Sequence, residues 1–223
     1  MLTTTLSAAV PPEGFRTLPW GSSPAQVQQS AGGSQWQQMP PGNEFPAQLS
    51  ITRYSTSDSV AGYPAQLRYY FWQDKLFQVT ITFPFKKLVN FDFNYNVFRS
   101  VDSYYSAIRG QTLTFVRDIY ALLQKKYGKK QPVFKGLDPQ HLFVKLDQYL
   151  RLERWNLRYS PAEYYKRIVT AAYARWDFPK TRVIFAINIA APDKRFDYSL
   201  SLTSLDLEAA LREALDGVRM QGL

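Results

Sequence analysis

The stretch Ala65–Phe83, AQLRYYFWQDKLFQVTITF, sets the frame for the whole chain. Two runs of β-branched and aromatic residues flank the polar Gln73-Asp74-Lys75, which is the pattern of a β-hairpin. In the second run Phe77, Val79, Ile81 and Phe83 alternate with Gln78, Thr80 and Thr82, so it reads as a half-buried antiparallel strand. Two registers compete. A two- or four-residue loop centred on Asp74-Lys75 puts Arg68, Tyr70 and Trp72 on the face of Phe77, Val79 and Ile81. A three-residue loop, Gln73 to Lys75, puts Leu67, Tyr69 and Phe71 there instead. A slip of one residue transfers a whole side-chain set to the other face. Asp74-Lys75 lacks the glycine that a tight type I′ turn prefers, and Arg68 on an apolar face would be costly. The three-residue loop is therefore expected. It leaves Tyr70 and Trp72 on the second face, either as a candidate exposed aromatic surface or partly covered by a helix or loop.

The chain has 223 residues, 45% of them hydrophobic and 16% aromatic, enough to build a packed core. No apolar run approaches the ~18 residues of a membrane-spanning helix, so no transmembrane segment is expected. Cysteine is absent, which removes disulfides, thiolate metal sites and cysteine nucleophiles together. A net charge of +9 and a pI near 9.6 favour polyanionic partners: nucleic acid, anionic head groups or acidic envelope polymers.

Residues 1–13 read as a disordered or processed N-terminal tail ahead of a single α+β domain over 14–223. Ser22 or Ser23, followed by Pro24, opens a short helix that Gly32-Gly33 ends. Gln35–Gly42 is turn-rich, with Trp36 expected to dock on the core. Gln48–Tyr54 reads as a strand and Ser55–Gly62 as a polar loop. Pro84–Arg99 has no clean period. Val101–Gly110 reads as a short helix. Thr112–Lys126 is the strongest helix, capped by Thr114, with Phe115, Ile119, Leu122 and Leu123 forming one apolar stripe opposite Arg117 and Gln124. Lys125 and Lys126 suit the negative end of its dipole, and Gly128 its C-terminus. Leu142–Leu152 fits strand or helix. Ser160-Pro161-Ala162-Glu163 is a capping box opening a helix over Tyr159–Ala171. Ala172–Asp177 and Arg182–Ala190 flank Phe178–Thr181 as a second hairpin. The Arg182–Ala190 strand is apolar on both faces, hence interior to the sheet. Phe196–Thr203 is an alternating strand, and Asp206–Val218 a closing helix with Leu207, Leu211 and Leu215. Clustered strands and helices argue α+β: an antiparallel sheet of two hairpins plus flanking strands, packed against helices.

Several short segments together resemble uncharacterised bacterial exported proteins and lipoproteins. They are the opening Phe15–Val27 (FRTLPWGSSPAQV) with Trp20-Gly21, then Asp74-Lys75-Leu76, then Lys126-Tyr127-Gly128-Lys129, and finally Trp176 with Thr181. The chain departs from that pattern at Asp74, where a glycine neighbour is missing, and at Lys130-Gln131 before Pro132. The resemblance implies a periplasmic or other cell-envelope location and a compact α+β fold. It implies no activity.

Signatures of catalysis are missing from the sequence. His141 stands alone, with no partner at a spacing that metal binding or general-base work requires. Ser22-Ser23 lacks the nucleophile-elbow glycines, and no phosphate-binding glycine loop occurs. The acids Asp92, Asp102, Asp118, Asp138, Asp147, Glu153, Asp193 and Asp197 are scattered, so a carboxylate pair would have to assemble in space. No cofactor is expected. The basic residues do cluster. Lys125, Lys126, Lys129, Lys130 and Lys135 interleave with Tyr127, and Arg151, Arg154 and Arg158 surround Trp155. Read functionally, these are patches for an anion or a partner; read structurally, the first is a solvated helix end. The leading expectation is a non-enzymatic cell-envelope module binding a protein or an anionic ligand. A nucleic-acid-binding protein using the basic and aromatic patches is the alternative. An enzyme with an assembled carboxylate site comes third.

Overall fold

The computed structural model describes residues 12–31, 35–42, 45–84, 101–127, 169–190 and 195–221. A two-stranded ribbon, β1 (Gly14–Phe15) and β2 (Leu18–Pro19), leads into α1 (Pro24–Ser30). There follow β3 (Gln37–Gln38), a 3-10 turn at Ala47–Leu49, β4 (Thr52–Val60), β5 (Tyr63–Trp72) and β6 (Lys75–Pro84). After α2 (Val101–Tyr127) come β7 (Val169–Asp177), β8 (Thr181–Ala190), β9 (Arg195–Ser204) and α3 (Leu205–Gln221). Seven strands form one antiparallel sheet in the order β3-β4-β5-β6-β9-β8-β7. The protein is thus α+β, with two meanders, β4-β5-β6 and β7-β8-β9, joined where β6 pairs with β9.

Hydrocarbon lies on both faces of the sheet. One face carries Leu67, Tyr69, Phe71, Leu76, Val79, Ile81, Phe83, Tyr198, Leu200 and Leu202, under Phe115, Val116, Ile119, Tyr120, Leu123 and Tyr127 of α2. The other carries Tyr70 and Phe77, packed with Leu49, Phe45, Ile51 and the Leu207, Leu211, Ala214 and Leu215 side of α3. The second face, a candidate exposed aromatic surface that a helix or loop could also cover, is covered. Tyr70 is only 5% exposed and Trp72 is half-buried, because the apolar stripe of α3 has no other place to go.

The central hairpin reaches the expected facing by a different route. Its turn is Gln73-Asp74, both in the left-handed region (φ 50° and 57°), with Trp72 opposite Lys75 and Phe71 opposite Leu76. Continued unbroken, that register would set Arg68 against Val79. A bulge at Phe77 prevents this: beyond it Tyr70 pairs with Gln78, Tyr69 with Val79 and Leu67 with Ile81. Leu67 and Tyr69 share the face of Val79 and Ile81, as expected, but Phe77 leaves that face and Leu76 replaces it. Because Asp74 holds a conformation that L-residues adopt at a cost, Asp74→Gly is expected to stabilise the protein by about 0.5–1 kcal/mol. A higher urea midpoint at unchanged slope would register the gain.

Other expectations need correction. Ser55–Val60, read as loop, is strand. Its small polar side chains hid a backbone fully paired with β5 from Ser55↔Arg68 to Val60↔Tyr63, leaving Ala61-Gly62 as the turn. Leu49 belongs to the 3-10 turn rather than to that strand. Val101–Gly110 and Thr112–Lys126 are one helix of 27 residues, with Thr114 in its interior rather than at a cap. Gly110 costs about 1 kcal/mol against alanine, which the packing of the next four turns offsets. Val169, Thr170 and Ala171 lie in β7, not at the end of a helix. Expectations for residues 85–100, 128–168 and 191–194 fall outside the described residues. So does the tail over 1–11, whereas Pro12 and Glu13 are anchored: the Thr181 hydroxyl donates to the Pro12 carbonyl, and Glu13 pairs with Lys180 at 3.1 Å.

The opening motif works as a clamp. Trp20 Nε1 donates to Thr181 Oγ1 at 2.8 Å, in the second hairpin. The Gly21 amide donates to the Leu76 carbonyl and the Leu76 amide to the Ser22 carbonyl, each at 2.9 Å, in the first hairpin. Gly21 sits at φ 85°, where a side chain would be strained. Ser23 caps α1 in a reciprocal capping box with Gln26.

Candidate functional site

Helix α2 does not lie flush on the sheet along its whole length. Its middle is pinned by Phe115, whose ring meets Tyr63 at 4.8 Å, Tyr198 at 4.9 Å and Phe83 at 5.1 Å. Its C-terminal end is pinned by Tyr127, against Phe178 at 5.5 Å and Trp176 at 6.3 Å. Between these two anchor points a cleft of about 540 Å³ opens. Its floor is Ile81, Phe83, Leu200 and Leu202 from the two central strands, and one wall is Ile119, Leu122 and Leu123 of α2. Phe15, Val60 and Ala61 form the opposite wall. The floor and inner wall belong to the packed core, with Ile81, Phe83, Leu200, Leu202, Ile119 and Leu123 buried, so solvent reaches the cleft mainly at its rim.

Among the described residues the charge lining the cleft is of one sign and sits on its rim: Arg16, Lys125 and Lys126. Arg16 is held at φ 58° between β1 and β2, stacked 5.3 Å over the Phe15 ring and bonded at 2.6 Å to Asp58. Burial alone would raise the Asp58 carboxyl, but the bonds from Arg16 and the Ser59 amide, with the Arg16 charge, bring it below the usual range. Lys126 has no carboxylate partner among the described residues. Its ammonium sits 5.4 Å over the Tyr127 ring, and desolvation, assisted by the Arg16 charge, lowers its pKa from the ordinary lysine value. Leu122, 44% exposed, forms the lip.

A second, more open cavity of about 420 Å³ adjoins the first through Ala61, Leu122 and Lys125. Tyr63 donates to Asp118 there at 2.7 Å, tying the β4–β5 turn to α2. That hydrogen bond first, then burial and the Asp118 charge, pushes the phenol up to about 12.

Of the residues singled out in the sequence, Lys125, Lys126 and Tyr127 meet at this cleft. Lys129, Lys130, Lys135, Arg151, Arg154, Trp155, Arg158 and His141 lie outside the described residues. Tyr70 and Trp72 are on the opposite face of the sheet, under α3. Arg16 carried no local signal, and Leu122 and the Leu200–Leu202 floor read only as helix stripe and alternating strand, since three distant segments have to converge before they face one space.

Elsewhere one group of charged residues satisfies its members mutually. Asp177 accepts from Arg175 Nε at 2.7 Å and from Arg182 Nε at 3.3 Å, while Arg182 Nη1 reaches Glu208 at 2.8 Å and Arg212 joins it at 2.7 Å. This network ties the second hairpin to the first turn of α3 and has a structural role. No group of three potential metal ligands occurs among the described residues. No described helix is long and apolar enough to cross a membrane.

Fold and site together define an antiparallel α+β domain with an apolar, cation-rimmed cleft between its long helix and its sheet. In comparisons with known proteins, no family model, curated protein or solved structure matches the chain.

Proposed function

We propose that this chain is a non-enzymatic binding module of the bacterial cell envelope whose ligand is an anion with an apolar body, held in the cleft under α2. One observation carries the reading: about 540 Å³ of largely hydrocarbon-walled space whose charged lining among the described residues is the cations Arg16, Lys125 and Lys126. Ligand pockets are concave, mostly apolar and oriented by a few polar groups, and this volume falls inside their usual ~300–1,000 Å³ range. The envelope location rests on the resemblance carried by Phe15–Val27, Lys126-Tyr127, Trp176 and Thr181, and cell fractionation tests it.

Anilinonaphthalene sulfonate, an apolar anion, is the direct probe of the cleft. The folded protein is expected to bind it with one-to-one stoichiometry. The double charge reversal Lys125→Glu/Lys126→Glu should weaken that binding about tenfold or more, at an unchanged circular dichroism spectrum. An affinity indifferent to the reversal would contradict the proposal. The basic net charge also admits nucleic acid, and a salt-sensitive gel shift of a single-stranded oligonucleotide, in place of dye binding, would favour that class of partner.

A further inference from the structure

We infer that the natural occupant of the α2 cleft is a single-chain alkyl carboxylate, its head on Lys126 and its chain running over Ile81, Leu200 and Leu202. The inference rests on the reading of the cleft as an anion site and adds the chemical class.

The interior of the cleft selects the body of the ligand. Behind the rim, the described lining side chains are hydrocarbon except for Tyr127, whose phenol is already pushed up to about 12 by burial against the core. A sugar or heterocycle would bury polar atoms there without partners, at a cost for each. An unsubstituted chain loses nothing and gains with every methylene taken from water. Volume limits the total length. If a methylene is given ~30 Å³, the share of a water in the liquid, the space holds at most roughly 18 carbons, which one long chain would fill.

The rim selects the head. Arg16 is already engaged with Asp58 at 2.6 Å, and Lys125 is shared with the neighbouring cavity. That leaves Lys126 as the ammonium assigned to this cleft alone without an acidic partner among the described residues, and one ammonium matches one negative charge. Leu122, apolar and 44% exposed one turn before Lys126, would cover the first methylenes below the head.

Calorimetric titration of the full chain with saturated carboxylates of increasing length, below their aggregation concentrations, tests the inference. Affinity should rise about fourfold per added methylene and level off when the cleft is full. Lys126→Glu and Leu122→Glu, both at exposed helix positions, should each weaken the longest well-bound carboxylate at least tenfold while lowering the melting temperature by no more than a few degrees. An alkyl trimethylammonium of equal length should bind at least tenfold more weakly. Affinity independent of chain length, equal binding of the cationic amphiphile, or indifference to Lys126→Glu overturns the inference. A monoalkyl phosphate binding tenfold better than the carboxylate overturns the choice of head group. If carboxylates fail while anilinonaphthalene sulfonate still binds in a Lys125/Lys126-dependent way, the alkyl class falls and the anion site stands. If neither binds, both fall.

Discussion

Replacing Phe115 by alanine should destabilise the protein by about 3–5 kcal/mol, the range for removing a fully buried phenylalanine whose surroundings cannot collapse. Phe115 is 2% exposed and is the hub at which Tyr63 of β5, Phe83 of β6 and Tyr198 of β9 meet α2. Truncation removes three edge-on or tilted ring contacts at once, each worth about 0.5–1.5 kcal/mol beyond burial. The neighbours hang from strands locked by the ladder, so they cannot move in to fill the gap. For a chain of 223 residues the loss corresponds to a melting temperature roughly 6–20 °C lower. Leu122→Ala, two turns along the same helix at the cleft lip, is the control. At 44% exposure it should change stability by less than about 1 kcal/mol. Equal effects at the two positions would mean that α2 is not seated on the sheet through Phe115. Phe115→Ala should also abolish ligand binding where Leu122→Ala only weakens it, because the helix that roofs the cleft is released.

How much of this was legible in the sequence depends on whether the signal was local. The alternation in Leu76–Phe83 and Phe196–Thr203, the stripe on Thr112–Lys126 and the Ser23-Pro24 start of α1 are written in neighbouring residues, and the corresponding elements formed. The bulge was not legible. A reading from parity alone obtained the right facing of Leu67 and Tyr69 through an odd loop. The chain instead uses an even turn at Gln73-Asp74 and recovers the same parity with one extra residue, Phe77. Ser55–Val60 was missed because serine and threonine in a strand look like loop until a partner strand supplies the hydrogen bonds. The motif residues that suggested a resemblance prove to be neighbours in space: Trp20 with Thr181, Gly21 with Leu76, Tyr127 with Trp176. Their common role is to clamp two hairpins and a helix end together. The cleft lay furthest from view. Lys125 and Lys126 look like an ordinary dipole-matched helix end, and only the approach of Arg16 and the β6–β9 floor turns them into a rim.

Raising the pH should unfold the protein cooperatively between about pH 10 and 12. Tyr69 and Tyr127 are 1% and 3% exposed, and burial pushes both phenols from 10.0 up to about 12. For Tyr69 the Arg16 charge works against that rise and the Asp58 charge adds to it. Tyr63 reaches about 12 as well, chiefly through its bond to Asp118. Each folded-state value lies above the unfolded one, so the stabilisation is complete below pH 10 and is lost as pH rises through 10 toward 12. With about 1.4 kcal/mol per pH unit, Tyr69 and Tyr127 forfeit roughly 2–3 kcal/mol each. The sum is comparable to the whole stability of a typical domain. Tyr63 is more exposed, and its share is discounted accordingly. The phenolate absorbance contributed by these buried tyrosines and the far-ultraviolet circular dichroism should therefore change together over this window. Tyr127→Phe keeps the ring against Trp176 and Phe178 but removes one ionisation, so it should move the midpoint upward in pH. Gradual titration of all tyrosines near pH 10 with the dichroism intact would show that these phenols reach solvent in the folded state. In that case the floor of the core beside the cleft would be open to water, and an alkyl chain would gain far less by entering it.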